Sequence, residues 1–178
     1  VDTLLTEAGR HLSQVRAVAV SQGPGNFTGL RIGMATVQAL AFALQVPGVP
    51  VSTLEVIAAR LPLRSEPVGV LVDAKRGEVY FGLFRCEGVT PILLGEAERL
   101  PVRQLASRLH PPLVLTGPGL TVCEEVLKPL LPPGVAFAPP ELRFPQAATL
   151  ARLAWQRLSR GAGVSPAALF PTYLRPAL

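Results

Sequence analysis

At 178 residues the chain is long enough for one compact domain, or two small lobes, with a real core. Apolar residues make up 49% and charged residues 16%, which excludes a disordered chain and leaves room for surface buried in a partner. The net charge of +5 is scattered without a basic run and only 6% of residues are aromatic, so no stacking or groove-reading nucleic-acid surface is visible and weak electrostatic attraction to RNA is the most the sequence supports.

In chain order, Leu4, Leu5, Ala8 and Leu12 share one face of a predicted helix over 1–14. The apolar run "VRAVAVS" predicts a short strand. A glycine-rich loop follows, then a long helix from Thr28 to Gln45 that ends before Pro47. "VPVS" reads as a strand and "TLEVIAARL" as a helix. "VGVLVDA" and "EVYFGLFRC" are strands joined by the turn "KRG", which predicts a hairpin, with "TPILLG" as a third strand. Then come the helix "VRQLASRL", the strand "PLVLTG", the helix "LTVCEEVLKPLL" and the strand "VAFAP". "QAATLARLAWQRLSRG" is an amphipathic helix, and the tail "SPAALFPTYLRPAL" is irregular.

Strands alternating with helices, with one hairpin inserted, predict an α/β fold with a mixed sheet. The Pro-rich "LPLRSEP" (61–67) marks a lobe boundary, giving an N-terminal lobe over 1–60 and a C-terminal lobe over 61–178. No apolar stretch approaches the roughly 20 residues that span a bilayer, and Val1 does not open a signal peptide, so no membrane association is expected. Cys86 and Cys123 are too few for a disulfide scaffold and read as buried thiols of a cytoplasmic protein.

"GPGNFTGLRIG" (23–33) sits between a strand and a helix, an order that cradles phosphate in many proteins. Here Gly23, Gly25 and Gly29 miss the spacing of a dinucleotide fingerprint, and the next strand ends in Ser52 and Thr53 without an acid. Gly29 precedes Leu30 and Arg31 rather than the Lys-Ser/Thr of a P-loop. The following helix carries an apolar stripe of Leu30, Met34, Val37, Ala41 and Leu44, and Gly29 and Gly33 leave a flank without side chains. Two readings stand: a core helix under a sheet, or a helix whose second face is an association surface. Asn26 or Thr28 is placed to cap its N-terminus.

The block "GPGNFTGLRIGMATVQALA" closely resembles the signature of the bacterial TsaB (YeaZ) family, supported by "DAKRGEVYFG" (73–82) and "PTYLR" (171–175) in the family's order. The matching positions are Gly23, Pro24, Gly25, Asn26, Phe27, Thr28 and Arg31, with Asp73, Arg76 and Glu78 in the second block. The resemblance implies an actin-like ATPase, ribonuclease H-like fold of two lobes with mixed sheets. It implies a part in forming threonylcarbamoyladenosine at position 37 of tRNAs, as a non-catalytic subunit that dimerises with its metal-binding catalytic paralogue, TsaD. A small ATPase, TsaE, cycles that complex. The implied interface lies on the first helices, so Gly29, Leu30, Gly33, Met34, Val37 and Ala41 are the expected partner contacts, with a homodimer when the chain is alone and tRNA reached only through the complex. Family members begin with a strand and hairpin carrying an Asp-Thr-Ser motif, whereas Val1 already lies in what resembles the following helix. The expectation is a fold whose N-terminal hairpin is missing.

Other chemistry is sparse. Asp73 and Glu78 bracket a turn and read as local ion pairs to Lys75 or Arg76 rather than as an acid/base pair. His11 and His110, on different elements, cannot supply the paired histidines of a metal site, which argues against a metallopeptidase and against a bound cofactor. No G-x-S-x-G elbow is present. "LTGPGL" (115–120) reads as a loop, Trp155 as core or lobe packing, and Tyr173 and Leu174 as a tail folded back on the domain. The rival to an accessory subunit is a nucleotide-binding ATPase or kinase of the actin-like fold.

Overall fold

The computed structural model describes residues 1–88 and 90–174. Two sheets organise them. The first is a parallel pair, β1 (Val18–Ser21) and β2 (Gly48–Val51), joined by the long helix α2 (Phe27–Leu44). The second has six strands in the order β5-β4-β3-β7-β8, with β6 (Glu98–Pro101) also on β4. Its centre is the hairpin of β3 (Val68–Lys75) and β4 (Glu78–Arg85), antiparallel from Val68↔Phe84 to Asp73↔Val79. β7 (Leu113–Thr116) and β8 (Val135–Phe137) continue the sheet in parallel on the other side of β3, and β5 (Ile92–Leu93) closes the β4 edge. β3 has neighbours on both edges and helices over both faces, which is why it reads as an unbroken apolar run rather than an alternation.

One face of the large sheet carries α4 (Val102–Leu105) and α5 (Leu120–Leu127): Leu105, Leu120, Cys123 and Leu127 pack on Leu71, Phe81 and Leu115. The other face carries α3 (Thr53–Ala58), whose Leu54, Ile57 and Ala58 pack on Val68, Val70 and Phe84. Val56 of the same helix turns instead towards β2. α3, buried from Leu54 to Ala58, therefore belongs to both cores and joins them.

The small sheet is also covered on both faces. Val20 of β1 meets Met34 of α2 and Leu169, while Val49 and Val51 of β2 meet Leu153 and Ala154 of α6 (Ala147–Leu158). The chain thus returns at its C-terminal end to its first sheet. A lobe boundary drawn by chain order at 60/61 leaves α6 and the 3-10 turn Pro166–Ala168 packed on the N-terminal side. An ion pair fixes that return: Arg157 of α6 pairs with the buried carboxylate of Glu55 on α3 and also donates to the Pro50 carbonyl of β2.

The predicted helix over 1–14 is shorter than its periodicity suggests. α1 spans Asp2–Glu7, Gly9 turns to φ +60°, and a separate 3-10 turn covers Leu12–Gln14. β6 was not legible, because "ERLP" is polar and carries a proline, which an edge position tolerates. Arg175 of the "PTYLR" ending lies outside the described residues.

Candidate interaction surface

α2 starts where its capping residue dictates. The Asn26 Oδ1 accepts from the Gly29 N–H at 2.9 Å, and the Asn26 carbonyl accepts from Leu30 N–H. It ends at Gln45, which takes a left-handed conformation (φ 53°) before Pro47. Eighteen residues long and mostly apolar, α2 is the one described helix whose length and composition alone would suit a membrane span, which the sequence reading did not expect. It lies against β1, β2 and the Pro166–Ala168 turn.

This seating separates its faces. Met34 and Ala41 are buried and Leu30 and Val37 half-buried, all on the sheet side. The stripe expected to meet a partner is the one the core takes. This corrects the sequence reading: Met34 packs on Val20 and Leu169, and Ala41 is 0% exposed, so neither is available to a second protein. The opposite face is Thr28, Ile32, Ala35, Thr36, Ala39, Phe42 and Ala43, all exposed. Ile32 is 63% and Phe42 70% exposed, and Arg31 is the only charge on that face. Gly29 and Gly33 lie at its rim. Beyond the helix's own backbone, Asn26 is the only described residue within 4 Å of a Cβ placed on Gly29, and no described residue lies within 4 Å of one on Gly33. Among the described residues, no other segment's backbone enters the flank they leave.

The loop before α2 has a different occupant from phosphate. A Cβ on Gly23, whose φ is +111°, would lie 2.7 Å from the Thr172 carbonyl oxygen. Thr172 N–H in turn donates to the Gln22 carbonyl at 2.7 Å, and Gln38 Nε2 donates to the Leu169 carbonyl at 3.0 Å. Residues 169–173 therefore form a strap across the glycine loop, and Gly23 is needed both for its backbone conformation and for that approach. The Gly25 position faces Leu30, and Pro24 is buried. Tyr173 ends the described strap beside Phe27. Their ring centroids are 5.5 Å apart, the Arg31 guanidinium lies 3.8 Å over the Phe27 ring, and Arg31 Nε donates to Tyr173 Oη at 3.2 Å. The tail folds back as its sequence suggests; the cluster it forms with Phe27 and Arg31 was not foreseen.

The second block is turn chemistry. Lys75, Arg76 and Gly77 all take positive φ. Asp73 accepts from Lys75 N–H and Nζ, both at 2.7 Å. Burial pushes its carboxyl up, but these bonds outweigh that and hold it below the usual carboxylate range. Glu78 pairs across the sheet with Arg99 at 3.5 Å.

Among the described residues no three of His, Cys, Asp and Glu converge in a group that could hold a metal ion. Burial pushes the Cys86 and Cys123 thiols up to about 11, which leaves them unreactive at neutral pH. The "TGPG" loop packs tightly: a Cβ on Gly117 would lie 2.1 Å from the Leu71 carbonyl oxygen, and Gly119 N–H is bonded to that same oxygen. Trp155, read from the sequence as packing, is 66% exposed on α6, because Leu153 and Ala154 occupy the inward face. It borders a shallow groove of about 320 Å³ with Val15, Ala19, Val49 and Leu158.

The family model described as TsaD, tRNA N6-adenosine threonylcarbamoyltransferase, matches residues 1–176. The chain is 30% identical over 185 aligned positions to the tRNA threonylcarbamoyladenosine biosynthesis protein TsaB of Escherichia coli (strain K12), covering 98% of this chain and 77% of that protein. It is 35% identical to the protein of the same name from Bacillus subtilis (strain 168), over 48% of this chain and 37% of that one. Among solved structures, YeaZ from Pseudomonas aeruginosa superposes with a TM-score of 0.83 at 36% identity, covering 97% of this chain and 80% of that one. A second structure, described as an uncharacterized protein with similarity to peptidase YEAZ from Pseudomonas aeruginosa, gives 0.82 at 35%, covering 98% and 80%.

Proposed function

This chain belongs to the TsaB (YeaZ) family, within the fold family of the TsaD transferase, and from that premise we propose that it is the accessory, non-catalytic subunit in the formation of threonylcarbamoyladenosine on tRNA. The fold is the actin-like, ribonuclease H-like α/β fold of that family. The observation that carries the reading is the outer face of α2. A monomer that leaves Ile32, Ala35, Ala39 and Phe42 in water, with Arg31 as the sole charge among them, exposes an apolar helix face that a partner would cover. The partner is a TsaD-type transferase of the same fold, which presents its own corresponding helix; the small side chains and the open Gly33 flank let two such helices pack closely. Alone, the chain pairs with a second copy through the same face. A TsaE-type ATPase and tRNA engage the pair rather than this chain by itself, in the cytoplasm.

Non-catalysis is supported by the spent loop and the scattered histidines. The Gly29 N–H is already bonded to the Asn26 side chain, Thr172 packs against Gly23, and His11 and His110 stand apart in the chain. The test is reconstitution. The transferase from the same genome, supplied with threonylcarbamoyl-adenylate and tRNA, should modify tRNA only when this chain is added, and this chain alone should not. Turnover by this chain alone that survives repurification would overturn the reading. So would calorimetry showing tight binding of ATP with Mg²⁺, which the nucleotide-binding alternative requires.

A further inference from the structure

We propose that the C-terminal strap is part of the partner-docking surface, with Tyr173 completing an aromatic–arginine cluster, together with Phe27 and Arg31, that the partner covers. The proposal rests on the reading of α2 as the interface and adds to it a residue from the far end of the chain. Phe27 is 53% and Tyr173 46% exposed, yet both are held: ring against ring, with Arg31 over one and bonded to the other. Such contacts are weak in water and strengthen when water is excluded. Arg, Tyr and Phe are also the side chains that dominate the centres of protein interfaces. Because the three already fix one another's orientation, covering them orders little that is not ordered before binding.

The cluster is continuous with the exposed α2 face. Phe27 and Arg31 lie one turn apart, followed along the helix by Ile32 and Ala35. The strap is anchored behind them by Thr172 N–H on Gln22 and by Gln38 on Leu169, so Tyr173 is fixed relative to α2 rather than trailing from it. Its occupant is therefore the one that covers Ile32 and Phe42, the TsaD-type transferase.

The test compares full-length Tyr173→Ala, Tyr173→Phe, Arg31→Ala and Phe42→Lys for binding to the transferase and for melting temperature. Tyr173→Ala and Arg31→Ala should each weaken binding by about tenfold or more while the free chain melts within about 2 °C of the parent. Tyr173→Phe, which keeps the ring and loses only the bond to Arg31, should lose about threefold. If Phe42→Lys abolishes binding while Tyr173→Ala and Arg31→Ala bind as the parent does, the cluster is not in the interface although α2 is. If Phe42→Lys also binds as the parent does, the α2 reading itself is wrong. A loss in Tyr173→Ala matched by a large fall in melting temperature, with Arg31→Ala silent in binding, would mean that the strap only holds the fold, and would overturn the proposal.

Discussion

Ala41 and Phe42 are adjacent in sequence and opposite in environment, so the same substitution at each should fail in different ways. Ala41 is 0% exposed against the small sheet. An aspartate there buries a carboxylate with no cation placed to receive it, at a cost of several kcal/mol after relaxation. Against a total stability of about 5–15 kcal/mol, that removes most of the folded population or lowers the melting temperature steeply. Phe42 is 70% exposed. Its replacement should change stability by about 0.5 kcal/mol, with a similar further loss from an acid in the last turn of α2. For a chain of this size the sum is a shift of about 2–4 °C. Association should suffer far more: a central apolar contact replaced by a charge costs about 2 kcal/mol or more, roughly thirtyfold in affinity. Phe42→Lys, whose cation suits the helix C-terminus, should lose association equally and so separates interface loss from helix fraying. Thermal melts by circular dichroism and sedimentation velocity, with and without the transferase, read both quantities. Two outcomes would refute the reasoning: Ala41→Asp folding as stably as Phe42→Asp, or folded Phe42 variants associating like the parent.

Arg157→Met should destabilise the chain by about 3–5 kcal/mol in urea titration, because it leaves the buried Glu55 carboxylate without its cation at the joint of α3, α6 and β2; a loss under 1 kcal/mol would show that the pair contributes no such constraint. The Glu124 carboxyl is held below its ordinary value chiefly by the Arg143 hydrogen bond at 2.6 Å, burial opposing. The unfolded chain then binds the proton more tightly, so this contribution is present above pH about 4.5 and is lost as pH falls through the lower folded value. Glu124→Gln should accordingly flatten the acid limb of stability against pH, and an unchanged limb would remove Glu124 from it. A Cβ at Gly33 meets no described residue beyond its own helix within 4 Å, so Gly33→Ala should stabilise the free chain by about 0.5–1 kcal/mol through helix propensity, read as a higher melting temperature, whereas a fall would mean that another group occupies that flank.

The order of elements was legible because the periods differ sharply: continuous apolar runs for β3 and β7, a 3.6-residue repeat in α6, and a "KRG" turn whose three residues do take positive φ. The family block and the Asn26 cap were legible for the same local reason. The exposed face of α2 was not. A helix with Leu30, Met34, Val37 and Ala41 on one side and Ile32, Ala35, Ala39 and Phe42 on the other offers two apolar stripes, and periodicity does not rank them. The ranking comes from where β1 lies, which is tertiary information. Trp155 misled in the same way: its size suggests burial, but Leu153 and Ala154 already fill the inward positions. The Phe27–Arg31–Tyr173 cluster joins residues 142 apart in sequence between Arg31 and Tyr173, a separation at which no local pattern gives a signal.

A strand, a glycine loop and a helix in succession leave backbone groups free at the helix N-terminus, and what fills that space decides the use of the motif. In this chain the space is filled from within. Asn26 Oδ1 takes the Gly29 N–H, the Gln22 carbonyl accepts from Thr172 N–H, and the Thr172 carbonyl oxygen lies against Gly23. Glycine at position 23 is thus explained by an intramolecular approach, and a phosphate arriving there would have to displace the strap. That displacement would also release Tyr173 from Phe27 and Arg31, because the same few residues anchor both. Loop, strap and the N-terminal turn of α2 form one unit, in which closing the C-terminal end over the loop sets the surface that α2 presents. A bulkier residue at Gly23 should therefore weaken association without touching the partner directly, an effect that acts through Thr172 and disappears when residues 172–174 are already removed. If Gly23→Ala weakens association equally in the chain lacking the strap, the loop rather than the strap shapes the surface, and the coupling between them is absent.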